Sequence, residues 1–301
     1  MSDEKTNLHT AKYSRLAAGE SQTAGREGKG AVQCTLCPNY CQILSGAAGI
    51  CGMRGNIGGK LYANSYGKVS SIALDPIEKK PLRRFHPGKK ILSIGSFGCN
   101  FHCPFCQNCE ISMEYQPYFE KAAIMTPQEI TELALQAIPK GNIGVAYTYN
   151  EPLIGYEFVY DCAKQVHQAG LDNILVTNGY INDEPLKALL PYIAAMNIDL
   201  KGFSDHFYKK LGGRLDAIKK IIELSQRHCH VEITTLIIPG ENDSAEEIER
   251  LAAWIATINP EMPLHLTRFF PRYQYLDCEP TPWDIIYKLA EIAKLYLKNV
   301  Y

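Results

Sequence analysis

The sequence lacks long apolar runs, an excess of charge of either sign and internal repeats. No stretch reaches the roughly 18 consecutive apolar residues of a membrane span, so we expect no transmembrane helix. The first 30 residues are polar and lack the apolar core of a secretory signal, which predicts a cytoplasmic protein. The formal net charge is −1, so we expect no broad nucleic-acid interface, which would need a clear basic excess.

What remains is an ordinary globular composition with an unusual cysteine content. Hydrophobic residues make up 46% and charged residues 21% of the 301 residues, enough to build a substantial core. There are 11 cysteines, and eight of them fall into two clusters. In the reducing cytosol such clusters indicate metal or redox chemistry rather than disulfides.

Composition divides the chain into three regions. Residues 1–30 read as a polar tail with one short helix near 10–18, and residues 31–90 as a cysteine-rich extension. From residue 91, short β-rich runs alternate with helix-length amphipathic stretches to residue 301, which indicates βα units and a parallel sheet. Periodicity does not decide between an open doubly wound sheet and a partial barrel. The six runs begin at Ile91, Ile143, Asn173, Met196, Val231 and Leu264.

Helix starts are marked by capping residues. Thr126 precedes Pro127 and Glu129, which predicts a helix from there through 138. Ser244 is followed by two glutamates and predicts another N-cap. Further helices are predicted near 156–168, 184–190, 215–226 and 283–297.

The strongest motif is C-x3-C-x2-C, formed by Cys99, Cys103 and Cys106 directly after a predicted strand. Thiolates are the preferred ligands of iron–sulfur clusters, and three of them leave one iron of a cubane open. A structural zinc knuckle is the alternative, with Cys109 as fourth ligand, although zinc prefers C-x2-C pairs. We expect Cys109 to be a small packing residue instead.

This spacing resembles the signature of the radical S-adenosylmethionine (radical SAM) superfamily. The resemblance implies a [4Fe–4S] cluster whose open iron chelates S-adenosylmethionine, and an electron donor of flavodoxin or ferredoxin type. It implies reductive cleavage to a 5′-deoxyadenosyl radical that abstracts hydrogen from a substrate. Phe105 matches the usual aromatic before the third cysteine and is expected to pack on the adenine. The implied fold is α/β, a partial (β/α)6 TIM-type barrel with a small N-terminal four-cysteine metal-binding extension.

Ligands of parallel α/β proteins bind at the carboxyl ends of strands, so motifs at those ends complete the expected cofactor site. Glu151, after Tyr149 and Asn150, resembles the superfamily's Gly-Gly-Glu-type motif that grips the methionine ammonium. The other strand ends resemble those of glycyl-radical-enzyme activators that contact ribose and carboxylate, although Val176 stands where an acidic residue is common. The cofactor-binding residues implied in this way are Phe105, Asn150, Glu151, Thr177, Asn178, Asp199 and Lys201.

Two of these strand ends also allow simpler readings. Asp199 and Lys201 lie two residues apart and are expected to share one face, where a plain salt bridge is the alternative. His265 and Arg268 on the last strand could face a substrate, but a lone histidine on a strand is more often a satisfied core or surface group.

Motifs outside the barrel narrow the resemblance. C-x-L-C-P-x2-C, G-x2-G-x-C-x2-R-x-N, D-P-I-E-K-K-P-L and R-F-F-P-x-Y are similar to those of AmmeMemoRadiSam-system radical SAM enzymes, relatives of pyruvate formate-lyase activating enzymes. That resemblance implies AMMECR1-like and Memo-like proteins as partners. The substrate class stays open between a glycyl-radical protein, another macromolecule and a small molecule. A non-catalytic zinc or iron–sulfur electron-transfer protein is the contrasting possibility.

A second cysteine set lies in the extension, with glycines nearby that permit tight turns. Four thiolates close either a structural zinc or a second [4Fe–4S] cluster, and the absence of a stable metal is the third possibility. The set comprises Cys34, Cys37, Cys41 and Cys51.

Overall fold

The computed structural model describes residues 8–16 and 30–301. The amino-terminal part forms two small antiparallel sheets with strand orders β1-β6-β5 and β2-β3-β4. The helix expected near 10–18 is wrong as far as 16, because this segment pairs as strands, and 17–18 lie outside the described residues. The first eight strands, of which the last belongs to the main sheet, are β1 (His9–Thr10), β2 (Ser14–Leu16), β3 (Val32–Cys34), β4 (Gln42–Ile43), β5 (Arg54–Ile57), β6 (Lys60–Ala63), β7 (Lys68–Val69) and β8 (Ser71–Pro76).

The main sheet has seven strands in the order β15-β14-β13-β12-β11-β9-β8. Six of them are parallel, and β8 pairs antiparallel with β9 at one edge, so the sheet begins before residue 91. The short β10 pairs with β7 outside this sheet. The remaining strands are β9 (Lys90–Gly95), β10 (Ala123–Ile124), β11 (Asn142–Tyr147), β12 (Asp172–Thr177), β13 (Ala195–Asp199), β14 (His230–Ile237) and β15 (Leu264–Arg268).

The strand order decides between the two architectures that periodicity left open. The parallel strands follow one another in chain order without the reversal that defines a doubly wound sheet. Right-handed crossovers then place the connecting helices on one face, and the sheet curls into the expected partial barrel. The helices are α1 (Cys109–Ser112), α2 (Gln116–Phe119), α3 (Pro127–Gln136), α4 (Tyr156–Gln168), α5 (Asp183–Leu189), α6 (Asp205–Lys210), α7 (Leu215–Ser225), α8 (Ala245–Ile258) and α9 (Trp283–Lys294).

The predicted caps are present. The Thr126 hydroxyl accepts a hydrogen bond from the Glu129 amide at 3.2 Å, and the Glu129 carboxylate accepts one from the Thr126 amide at 2.7 Å. This reciprocal capping box starts α3, which ends two residues short of the expected 138. At α8 the Ser244 hydroxyl accepts a hydrogen bond from the Glu247 amide at 3.1 Å, which is the predicted N-cap without the reciprocal bond. Within the described residues, no helix is both long and apolar enough to cross a membrane.

A buried ion pair fastens the cysteine-rich extension to the barrel. Arg54 is 2% exposed, and its guanidinium lies 2.9 Å from the carboxylate of Glu157 on α4. The same carboxylate accepts a hydrogen bond from the Lys12 amide at 2.7 Å. The extension is therefore held directly against the helix that follows β11.

A second buried carboxylate closes the amino-terminal end of the barrel strands. Glu232 on β14 is fully buried and accepts hydrogen bonds from the amides of Arg83 (3.0 Å) and Arg84 (2.7 Å). The rings of His230 and His265 lie 2.9 Å and 2.6 Å from its oxygens. The segment before β9 is thereby anchored across the barrel end.

Candidate active site

The three cysteines of C-x3-C-x2-C line one cavity of about 350 Å³ at the carboxyl ends of the barrel strands. The loop that carries them leaves β9 through Gly98, whose φ is +79°. A Cβ at this position would also lie 2.6 Å from the Cys51 carbonyl oxygen, so glycine is required here.

The cysteine side chains match the chemistry of an iron–sulfur ligand set. Burial raises the pKa of the Cys99 thiol well above its usual range and that of Cys103 to about 12. Nearby Lys201 opposes this rise in Cys103 through its positive charge. Buried thiols that share a cavity gain from binding a cation that replaces their protons, as metal ligation does. The donor set therefore fits a [4Fe–4S] cluster with one iron left open.

Asn178, directly after β12, ties the cysteine loop to a strand that lies two positions away from β9 in the sheet. Its side-chain amide lies 3.7 Å from the Cys99 sulfur and donates to the Asn100 side-chain oxygen at 2.8 Å. The Asn100 amide in turn donates to the Tyr180 carbonyl at 2.8 Å. The position of Cys99 is thus set by hydrogen bonds from the end of β12, across β11.

Glu151 lies in the same cavity and is 3% exposed. Its carboxylate accepts hydrogen bonds from the Thr177 hydroxyl (2.7 Å), the Asn178 amide (2.7 Å) and the Leu153 amide (2.9 Å). Burial raises the pKa of Glu151 to about 7 against these bonds, and the charge of Asp199 raises it further. A carboxylate has about four acceptor positions, so one remains for a donor in the cavity.

The two residues before Glu151 shape the cysteine loop. The Asn150 side chain accepts from the Ser96 amide at 3.0 Å and donates to the carbonyls of Phe97 (2.9 Å) and Gly98 (3.1 Å). Its amide is therefore occupied by the protein, which gives Asn150 a positioning role beside its expected place in the cofactor site. Tyr149 has a φ of +73°, a strained value for a bulky residue at the position where the superfamily motif carries glycine.

Asp199 ends β13, and Lys201 lies just beyond the strand. The Lys201 ammonium donates to the Asp199 carboxylate at 2.9 Å, and both residues line the cavity. Burial opposes the Lys201 charge, but Asp199 and the cysteine sulfurs raise the pKa of Lys201 above its usual value. The salt bridge considered as an alternative is formed, and it faces the cavity rather than the outside.

The aromatic before the third cysteine, Phe105, also lines the cavity and is 4% exposed. Its ring lies parallel to that of Phe207 at 6.1 Å between centroids. Phe105 is thus held as a rigid apolar wall beside Cys103 and Cys106.

Two candidates on the last strand are not in this cavity. His265 lies near the start of β15, is buried and bonds to Glu232, which is the position of a satisfied core histidine rather than of a substrate ligand. The Arg268 guanidinium donates to the Thr281 carbonyl at 2.6 Å and stacks on Phe270 and Trp283. Both side chains are used by the protein away from the cysteines.

The second cysteine set packs against the first. Asn39, two residues after Cys37, donates from its side-chain amide to the Asn100 carbonyl at 3.3 Å, and burial raises the pKa of Cys37 to about 12. Cys51 and Cys99 line a common cavity. Across residues 8–16 and 30–301, no three His, Cys, Asp or Glu side chains converge closely enough to hold one metal ion. Ligands of a single zinc would lie ~4 Å apart, whereas cluster ligands bind different irons.

The sequence analysis missed several cavity-lining residues. Lys79 and Lys80 belong to D-P-I-E-K-K-P-L, a motif that was recognised without a role for its lysines. Lys80 is 3% exposed and donates to Asp75 at 2.8 Å. The signal in the sequence was a single aspartate, Asp75, followed four and five residues later by two lysines. The other missed residues are Gln107, Asn108, Ser112, Met113, Thr148, Tyr149, Thr234, Leu236 and Thr267.

Comparisons with known proteins agree with this geometry. Residues 93–255 match the model of the Radical SAM superfamily. An uncharacterised protein of Methanocaldococcus jannaschii, MJ0808, is 41% identical over 276 residues, which cover 90% of this chain and 80% of that protein. Pyruvate formate-lyase-activating enzyme of Clostridium pasteurianum is 26% identical over 66% of this chain and 82% of its own length.

Solved structures agree on the fold. A radical SAM methyltransferase from Sphaerobacter thermophilus superposes with a TM-score of 0.52 at 16% identity, covering 72% of this chain and 67% of that one. With the family model matching more than half of the sequence, the chain belongs to the radical SAM superfamily and is related to the pyruvate formate-lyase activating enzymes.

Proposed function

We propose that the protein is a radical SAM enzyme with one cofactor site formed by the cysteine loop and Glu151. The observation that carries the proposal is Asn178, whose backbone amide binds Glu151 and whose side chain reaches Cys99. One residue thereby fixes the expected cluster ligands and the expected ammonium acceptor relative to each other. When bound, the cluster and S-adenosylmethionine would supply one-electron cleavage of the sulfonium and a carbon radical that takes hydrogen from a substrate.

The chain's own residues have separate tasks in this site. Cys99, Cys103 and Cys106 would ligate the cluster, and Glu151 would accept a hydrogen bond from the methionine ammonium. Lys201 and Asp199 offer a charged pair for the carboxylate and ribose. Thr177 and Asn178 orient Glu151, and Asn150 holds the loop before Cys99. Phe105 would pack on the adenine and keep water out.

For the second cysteine set we propose a second [4Fe–4S] cluster rather than zinc. The four cysteines do not converge on a single ion within the described structure, and neither do the three of the catalytic loop. The second set lies against the loop that carries Cys99, because Asn39 donates to the Asn100 carbonyl at 3.3 Å and Cys51 lines a cavity together with Cys99. A cluster there would be placed to exchange electrons with the first.

The motifs from Cys34 to Tyr273 support assignment to the AmmeMemoRadiSam-system branch. AMMECR1-like and Memo-like proteins are then expected partners, and a flavodoxin- or ferredoxin-type protein the electron donor. The second candidate function is activation of a glycyl radical enzyme, favoured by the similarity to the Clostridium pasteurianum activating enzyme. Copurification of a glycyl-radical protein would favour this second function over the first.

Anaerobic reconstitution with iron and zinc counted together tests the proposal. We expect about eight irons in the wild type, about four in a Cys34→Ala/Cys37→Ala variant, and 5′-deoxyadenosine after reduction with S-adenosylmethionine. About four irons and one zinc would replace the second cluster by a zinc site. Neither iron nor nucleoside in the wild type would overturn the enzyme proposal and favour a non-catalytic zinc protein.

A further inference from the structure

The cavity has a region that the cofactor assignment does not use. This region lies at the carboxyl ends of β11, β14 and β15, because Tyr149 follows β11, and Leu236 and Thr267 are the last residues but one of β14 and β15. Its wall combines two lysines with hydroxyl and apolar groups, whereas the carboxylates that line the cavity, Glu151 and Asp199, belong to the proposed cofactor site. The lining residues of this region are Lys79, Lys80, Tyr149, Thr234, Leu236 and Thr267.

Lys80 is the central group of this region. Its ammonium donates to Asp75 at 2.8 Å and lies 4.5 Å from the centre of the Tyr149 ring. An ammonium has three donors, and within the described residues only the one to Asp75 is formed as a hydrogen bond. A lysine this deeply buried is costly unless its remaining donors also find acceptors.

The charges around Lys80 do not cancel. Asp75 faces both lysines, with the Lys79 ammonium 3.4 Å and the Lys80 ammonium 2.8 Å from its carboxylate. Glu78 points elsewhere and accepts from the Gly88 amide at 2.7 Å. Lys80 and Asp75 form the buried pair, and the Lys79 ammonium, on a side chain that is 68% exposed, adds a second and largely solvated positive charge at this wall of the cavity.

Tyr149 holds Asp75 and Lys80 in place on the side of the proposed cofactor site. Its hydroxyl donates to Asp75 at 2.8 Å, and its carbonyl accepts from the Asn108 amide at 2.7 Å. These contacts hold Tyr149 in its strained left-handed conformation. Such strain persists where surrounding contacts fix the residue, and here the fixed ring lies beneath the Lys80 ammonium.

From this arrangement we infer that Lys79 and Lys80, set by Asp75 and Tyr149, form the binding site for a single anionic group of the substrate, a carboxylate or a phosphate. The inference rests on the proposed function, since it takes the rest of the cavity as the cofactor site. It assigns D-P-I-E-K-K-P-L to substrate recognition and gives the substrate class as anionic.

Calorimetric binding of inorganic phosphate and of acetate to the reconstituted protein tests the inference, with S-adenosylmethionine present at saturation. We expect saturable binding of at least one anion. Lys80→Met and Lys79→Gln should each weaken it by about tenfold, since each removes one charge-assisted contact. Asp75→Asn should tighten it, because the competing carboxylate is lost. Lys187→Gln, an exposed lysine on α5, is the matched control and should bind like the wild type.

Two results would overturn the inference. They are no saturable binding of either anion, or equal binding by both lysine variants and the wild type. If Lys80→Met does not fold, Lys79→Gln and Asp75→Asn still give opposite expected shifts. Iron content and 5′-deoxyadenosine measured on the same preparation separate the two proposals, because a loaded and active protein that binds neither anion refutes only this one.

Discussion

Two buried glutamates lie in the barrel, one toward each end of its strands, and they are held in opposite ways. Glu232, at the amino end, accepts two backbone amides and lies against two histidine rings. Burial would raise its pKa, but these hydrogen bonds lower the pKa of Glu232 to about 2. Glu151, at the carboxyl end, accepts only neutral donors beside Asp199, and burial raises its pKa to about 7.

The comparison shows that burial alone does not set the state of a carboxylate. Both side chains are almost fully removed from water, at 0% and 3% exposed, so their partners make the difference. The hydrogen-bond partners of Glu232 all come from the protein, and this residue anchors the segment before β9. Glu151 lacks a cation, which is the group that the proposed cofactor would bring.

The largest expected effect concerns the cysteines beside Glu151. Cys103→Ala should lose the catalytic cluster, and with it about four irons and all formation of 5′-deoxyadenosine, because three thiolates are needed to hold the cubane. Iron analysis and chromatography of the nucleoside measure this. Cys109→Ala is the matched control, since that thiol is buried next to Glu110, and it should keep both. Equal iron in the two variants would refute the ligand assignment.

The second largest expected effect concerns Glu232, the residue that anchors the segment before β9. Glu232→Gln should lower the free energy of unfolding by about 3 kcal/mol, because a neutral amide loses the stabilisation reflected in the lowered pKa. Denaturant unfolding measures this, with Glu246→Gln on α8 as the exposed control, expected to change stability by about 0.5 kcal/mol or less. A Glu232 variant as stable as its control would remove the distinction between the two carboxylates.

The smallest effect is on the pH dependence of stability. An ordinary glutamate has a pKa of 4.5, so between about 4.5 and 7 the folded protein binds a proton at Glu151 that the unfolded chain releases. Stability should fall by about 1 kcal/mol per pH unit as pH rises through this window. Glu232 has the opposite effect. Its contribution to stability is present above pH 4.5 and is lost as the pH falls toward 2.

Unfolding across pH 4.5 to 7 without S-adenosylmethionine, for wild type and Glu151→Gln, isolates the first of these contributions. As pH rises through this window, the free energy of unfolding of the wild type should fall relative to that of Glu151→Gln. A difference that stays constant across the window would mean that Glu151 is ionised throughout.

Most of the fold could be predicted from the sequence because its signals are local. Six β-rich runs and the caps at Thr126 and Ser244 mark the elements directly. The choice of a barrel over a doubly wound sheet needed either the family resemblance or the strand order, since both architectures share one periodicity. The strands at 9–10 and 14–16 could not be predicted, because their pairing partners lie in distant parts of the chain.

The candidate site was predictable where residues follow the carboxyl end of a strand. The residues that this rule selects line one cavity, and they are the three cysteines, Glu151, Asn178 and Asp199. It failed for His265, because a strand residue near the amino end faces the other end of the barrel. It also missed Lys80, whose site depends on the contact between Asp75 and Tyr149 across the sheet, 74 residues apart in the chain.

Binding of S-adenosylmethionine to the reconstituted, unreduced wild type and to Glu151→Gln, at pH 8 and pH 6, tests the central claim most directly. The wild type should bind about tenfold more weakly at pH 6, where Glu151 is largely protonated. Glu151→Gln should bind about 10- to 100-fold more weakly than wild type at pH 8 and show little dependence on pH. Equal affinity of the two proteins at pH 8, with full iron content in both, would contradict the claim that Glu151 awaits the cofactor's ammonium.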